Sequence, residues 1–256
     1  VVLLKFAYDG TKYYGYQRQP SVPTVEGKII EVLKSSNIAT TINSASRTDR
    51  GVSALGNVIL VDSEDSPEKV IGILNSKLKH IYFHSYSERN LNPRHAKIRW
   101  YRYHLLDMGY DIDVLREAAT LFEGEHDFKN FTKVRSNTTL TIDSIEVTKN
   151  SDYFILDFFA QYYLWNLIRR IVGAITAYAS GTHFGQEIFS ERRNFAIAPP
   201  EPLILMDIDY GFKFTKIREP RRFKISMYRE FSKSLIYIYL FKGTGVWSTE
   251  NILQKG

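Results

Sequence analysis

The chain has 256 residues, 44% apolar and 24% charged, a composition like that of ordinary globular proteins with room for one large core or two medium domains. It has no cysteine, which excludes disulfides, thiolate catalysis and cysteine-held zinc or iron–sulfur sites, and suits the cytoplasm. A net charge of +6 is a mild bias toward a polyanionic partner.

Val1 to Tyr8 reads as a strand ending in the turn Asp9-Gly10; it carries Lys5, and no signal-peptide pattern is seen. After the polar and aromatic run TKYYGYQRQ, a helix is expected from Thr24, with Val25, Ile29, Ile30 and Leu33 as its buried stripe. Next comes SASRTDRGVSALGNV, residues 44–58, in which Arg47, Thr48 and Asp49 precede a turn at Gly51 and a β-branched run opens at Asn57. That is a loop feeding a strand, the kind of place where binding and catalytic residues concentrate. Taken alone, the tripeptide reads as a surface ion pair between Arg47 and Asp49.

Ser66-Pro67 opens a second helix, with serine at the cap and proline in the first turn, and Ile81 to Tyr86 follows as a strand. From Arg89 to Arg102 the chain has five basic residues and no carboxylate, a candidate surface for phosphates. It leads into a strand, Trp100 to Leu106, and then a helix from about Asp113 to Phe122. Leu140 to Thr148 and Tyr153 to Phe159 read as a hairpin turning at residues 149–152. His126-Asp127 has no second histidine at ligand spacing and reads as a loop-structure motif rather than a metal site.

The helix expected over Gln161 to Ser180 has Leu164, Leu167, Ile168, Ile171 and Ile175 on one face and Arg169 and Arg170 off it. The apolar region Tyr153 to Ala179 is broken by Asp157, Gln161, Asn166, Arg169 and Arg170, so it cannot cross a bilayer as a continuous apolar helix. A strand Leu203 to Tyr210 follows Pro199-Pro200, and a basic tail from Phe212 carries a last strand at Leu235 to Phe241. The two halves have similar strand and helix content and no flexible linker, which predicts one sheet running through both.

Seven segments, in order, resemble the blocks of the TruA-type tRNA pseudouridine synthases. They are YDGTKYYGYQRQ, TVEGKIIEVL, SASRTDRGVSALGNV, LNPRHAKIRWYRY, FEGEHDFKNF, AQYYLWNLIRRIVG and APPEPLILMDIDY, spanning about Leu4 to Tyr210. The chain departs from the family in having Tyr16 for its usual Trp, Ser53 for a His, and Gly56-Asn57 for Gly-Gln. With the element order, the resemblance implies an α+β fold. Its two RRM- or ferredoxin-like halves, residues 1–95 and 96–256, would share a continuous, mostly antiparallel central sheet with a basic cleft between them.

The resemblance further implies isomerisation of uridine to pseudouridine in the anticodon stem-loop of tRNA, by a cytoplasmic homodimer with no metal and no cofactor. Such a reaction needs a carboxylate beside C1′, either to attack it or to remove a sugar proton as positive charge builds there. The family motif makes Asp49 that carboxylate. A nucleophilic carboxylate must stay ionised in a partly dry pocket, which a nearby guanidinium favours, and the family motif assigns that part to Arg169. Arg47 would hold the RNA around a flipped nucleotide, and Tyr101, first of Tyr-x-Tyr, would stack on the target base. Tyr103, on the same strand face, is the one expected in the core. Two other readings compete: a catalytically silent RNA-binding protein on the same scaffold, and a base-excising glycosidase, for which no paired-acid motif surrounds Asp49.

Overall fold

Alternating and continuous apolar runs place the strands, and capping residues place the helices, in a computed structural model that describes residues 1–191 and 193–218. The elements are β1 (Val2–Tyr8), α1 (Val25–Ser35), β2 (Asn43–Ser44), β3 (Ser53–Val61), α2 (Pro67–Lys77), β4 (Ile81–Ser87) and β5 (Ile98–Leu106), followed by α3 (Ile112–Thr120), β6 (Gly124–Asp127), β7 (Thr139–Asn150), β8 (Tyr153–Ala160), α4 (Leu167–Ala179), β9 (Leu203–Asp209) and β10 (Thr215–Lys216). The strands and helices lie in one unit, Val1–Lys216. The strand expected at Leu235 to Phe241, and most of the basic tail, lie outside the described residues.

The strands make one ten-stranded sheet in the order β10-β4-β1-β3-β9-β5-β8-β7-β6, with β2 also paired to β3. The continuous, mostly antiparallel sheet expected from the sequence is therefore present. One pairing is parallel: β3 meets β9 through Ser53 opposite Ile204 and Ala54 opposite Leu205. That seam joins the first-half strands to those of the second. Gly56 lies beside it, where a Cβ would come within 2.5 Å of the Asp207 carboxylate, and Lys5 on β1 reaches the same carboxylate at 2.5 Å. Helix α2 lies against α1, β1 and β4, while α3 lies against β7 and α4.

The helix starts follow their caps. Thr24 accepts the Gly27 N–H at 3.2 Å, and Ser66 accepts that of Lys69 with Pro67 just inside the helix. Asp111 accepts the Asp113 N–H at 2.7 Å, so α3 begins ahead of the expected Asp113 and closes by Thr120. The hairpin turns through Ser151 and Asp152, inside the expected span. Three short strands among the described residues, β2, β6 and β10, are too brief to leave a period of their own. His126 and Asp127 lie on β6 rather than in a loop. The His126 ring stacks on Phe189 at 4.0 Å, and Asp127 accepts the Thr138 hydroxyl at 2.6 Å.

The larger correction concerns α4. It starts at Leu167, six residues later than the apolar stripe suggests, because Asn166 adopts a left-handed conformation with φ of 61°. Residues 161–166 are thereby released as a loop. Farther along α4, Gly173 lets the helix approach the chain at Ala196, and Ala198 N–H donates to the Arg169 carbonyl at 3.1 Å.

Strand β5 shows that not all of the basic run is free to meet phosphates. Arg102 sits opposite Asp157 on β8 and binds both its oxygens at 2.8 Å, and Trp100 on the same face donates to Asp157 at 2.6 Å. Arg99 points to the other face with Tyr101 and Tyr103, and is only 6% exposed. Its guanidinium donates to the Ser46 hydroxyl at 3.0 Å, to the Ala45 carbonyl at 3.1 Å and to the Arg94 carbonyl at 3.0 Å, and also to the Gln161 carbonyl. Burial pushes the Arg99 group below the ordinary arginine range. One buried cation thus ties the loop before Asp49, the basic segment and the loop before α4 to the sheet.

Two substitutions test this frame. Gly173→Ala would gain about 1 kcal/mol of helix propensity in open space. Here the added Cβ would lie 1.8 Å from the Ala196 carbonyl oxygen, so backbone must move. The expected net loss is about 1–3 kcal/mol, read as a lower urea midpoint. Arg99→Met takes the donor from two buried and two part-buried acceptors while removing a costly buried charge, and the expected net loss is about 3 kcal/mol by the same titration.

Candidate active site

The loop between β2 and β3 is held from beneath before it presents anything to solvent. Tyr8 on β1 and Thr48 share a hydroxyl contact of 2.8 Å, and the fully buried Asn57 donates to the Ser46 carbonyl at 3.0 Å. Tyr16 donates its N–H to the Thr48 carbonyl at 3.1 Å and its hydroxyl to Ser44 at 2.7 Å. Gly15, with φ of 90°, lets that segment lie against the loop, where a Cβ would stand 3.3 Å from the Arg50 nitrogen. Gly51, with φ of 89°, makes the turn, closed by the Val52 N–H on the Asp49 carbonyl at 3.2 Å. The departures Tyr16 and Asn57 are therefore not gaps. Both are buried hydrogen-bonding supports of the loop.

Asp49 stands out from this support into a cleft of about 990 Å³, at the upper end of the roughly 300–1,000 Å³ usual for small-molecule sites. Its side chain keeps 26% of its surface in solvent. The Arg169 guanidinium approaches Oδ2 at 3.3 Å, and the Trp165 indole N–H donates to Oδ1 at 2.9 Å. Arg169 is itself oriented by two further acceptors, the Ala198 carbonyl at 2.7 Å and the Asn166 side-chain oxygen at 3.2 Å. A residue from the second half thus supplies the ion pair of Asp49, although Arg47 is two positions away in sequence.

Arg47 is exposed and lines the same cleft. Tyr101 lines it too, 7% exposed, with Tyr163 edge-on at 5.2 Å between ring centres. Burial pushes the Tyr101 hydroxyl up to about 12, so it is a neutral donor at physiological pH. Tyr103 is 3% exposed and does not line the cleft. All four residues singled out from the sequence, Arg47, Asp49, Tyr101 and Arg169, are brought together around one space.

The electrostatics of that space are lopsided. Arg47, Arg50, Arg94, Arg99 and Arg169 line it against the lone carboxylate of Asp49, among the described residues. Arg50 also covers the ring of Tyr14 at 4.3 Å, leaving a stacked cation and aromatic at the rim. A cleft with five guanidiniums and exposed rings suits a phosphate-bearing, base-bearing ligand. Its one acid suits chemistry at an electron-poor carbon.

Sequence reasoning missed Trp165 and the supporting pair Asn57 and Arg99. Trp165 was hidden by extending the helix back to Gln161. The usable signal was Trp165 itself, which falls off the apolar stripe, next to an Asn able to adopt a left-handed turn. Arg99 carried no such signal, since a strand arginine in a basic run looks solvated.

A family model described as tRNA pseudouridine synthase matches residues 118–211. A tRNA pseudouridine synthase A of Pyrococcus abyssi is 38% identical over 253 residues, covering 93% of this chain and 96% of the relative. One from Picrophilus torridus is 40% identical over 228 residues, covering 87% of each chain. A third, from Thermoplasma acidophilum, is 38% identical over 222 residues, covering 84% of this chain and 86% of the relative. Among solved structures, an H/ACA RNP bound to a substrate RNA containing 2′-deoxyuridine is similar over 66% of this chain and 43% of that one, at 16% identity and a TM-score of 0.36, too slight a likeness to add weight. Relatives this similar over nearly the whole chain make it an isomerase of the tRNA pseudouridine synthase A family.

Proposed function

We propose that this chain converts uridine to pseudouridine in the anticodon stem-loop of tRNA, with Asp49 as the reacting carboxylate. The N1–C1′ bond breaks, the base turns in the cleft, and C1′ joins C5. The C5 proton is lost to solvent and N1 takes one up, so atoms balance with no oxidant or reductant. Asp49 acts at C1′, by bonding to it or by removing a sugar proton, as the departing base leaves positive charge there. Arg169 pairs with the carboxylate through Oδ2. The neutral phenol of Tyr101 gives the loosened uracil a flat surface to turn on and one O–H to donate.

A uridine in a stem is out of reach until it is extruded, so the target base flips into the cleft, and Arg47 holds the RNA beside the space it leaves. The half 1–95 brings Asp49 and Arg47, and the half 96–256 brings Tyr101 and Arg169. As the family resemblance implies, the enzyme works as a homodimer in the cytoplasm. One observation carries the reading: among the described residues a single half-buried carboxylate, braced on both oxygens, faces a cleft whose charged lining is otherwise arginine and whose rings are mostly tyrosine.

The test uses tRNA transcripts carrying 5-tritiated uridine. Asp49→Asn is expected to bind tRNA with unchanged affinity and to release no tritium, whereas release at the rate of the unsubstituted enzyme would overturn the assignment. Mapping pseudouridine by carbodiimide labelling is expected to place the product in the anticodon arm.

A further inference from the structure

The Arg169 contact alone does not fix the Asp49 carboxylate. At 3.3 Å it is a long, single contact to Oδ2. A single contact lets the carboxylate pivot about Oδ2 through coupled χ1 and χ2 changes, so that Oδ1 shifts while the ion pair is kept. The second oxygen is held by Trp165, whose Nε1 lies 2.9 Å away.

The surroundings of Trp165 are those of a group kept for its edge rather than for its bulk. The ring is 53% exposed, so packing does not account for a large indole at this position. Its backbone is pinned instead. The Thr132 hydroxyl donates to the Trp165 carbonyl at 3.1 Å, the left-handed Asn166 follows, and the Leu167 N–H closes a turn onto Leu164 at 3.1 Å. The Lys133 ammonium lies 5.7 Å from the ring centre on the indole face. The indole N–H is a donor only: it carries no charge and takes up no proton in this pH range, so it can hold a carboxylate without competing for a proton.

We propose that Trp165 is a positioning residue for the reaction, fixing the orientation of Asp49 through Oδ1 while Arg169 holds Oδ2. This rests on the reading of Asp49 as the reacting carboxylate. In the free enzyme the exposed indole shares its bond with water. RNA laid over the cleft mouth covers the ring and strengthens the bond at the moment the carboxylate must be aimed. Binding and aiming are thereby coupled with no movement of the chain.

Two variants of the full chain test this with the tritium assay under single turnover and with filter binding of unmodified tRNA. Trp165→Phe keeps a ring and removes the donor; Trp165→His places an imidazole N–H where the indole N–H lies. The expected outcome for Phe is a rate lowered about tenfold, near the lower end of what a hydrogen bond to a charged group contributes. Its affinity for tRNA should stay within about twofold, the signature of an interaction used in the reaction rather than in binding. His should restore most of the rate, and neither variant should change the melting temperature. The proposal is overturned if Phe retains the full rate, if its whole loss lies in tRNA affinity or melting temperature, or if His fails to rescue it. Tritium release by Asp49→Asn would instead overturn the underlying reading, so the two failures are distinct.

Discussion

A carboxylate that reacts must be charged, accessible and aimed, and these demands conflict. Burial aims a side chain but penalises its charge, while exposure keeps the charge and loses the aim. For Asp49 in the role proposed for it, the conflict is met by a contact that spans 120 positions of sequence, from its loop to Arg169 on α4. The cation stabilises the charge and the fixed helix limits the motion. The rest of the fold serves to bring those two groups to one place, since they belong to strand sets that join, beside the cleft, at the β3–β9 pairing, with a second junction at the far edge where β10 pairs β4.

Beneath that contact the site is built from neutral hydroxyls and one buried cation. Tyr8, Tyr16, Tyr101 and Tyr163 all have their hydroxyls raised above the ordinary phenol range by burial. They act as fixed dipoles and not as charges. Arg99 is satisfied by two carbonyls from neighbouring loops, a third from the loop before α4 and one hydroxyl, with no carboxylate among these partners. Its charge therefore stays uncancelled at the cleft wall. That favours an approaching polyanion.

Much of this was legible in the sequence, for physical reasons that can be named. The helices α1, α2 and α3 announce themselves by a polar cap followed by an apolar stripe, and β1, β3 and β5 by β-branched or alternating runs. Asp49, Arg47, Tyr101 and Arg169 were found by motif resemblance and not by pattern, since an Arg and an Asp two apart look like a surface pair. The start of α4 was misplaced because Leu164 happens to extend the stripe, while the left-handed Asn166 that ends it is a backbone fact. The role of Arg99 was illegible because its partners are carbonyls, and carbonyls leave no trace in a sequence. The basic run was over-read for a different reason: Arg102 faces the Asp157 carboxylate across two strands, a pairing that exists only once register is set.

The seam between β3 and β9 is two residues long on each strand. So short a ladder sets which strands are neighbours but offers little stiffness against twisting or hinging. Side chains that bridge the two banks of the cleft add to their alignment: Arg99 on the loop, Lys5 on Asp207, and Asp49 on Arg169. The contact proposed to serve the reaction is thus also a strut, and chemistry and architecture would here share a component.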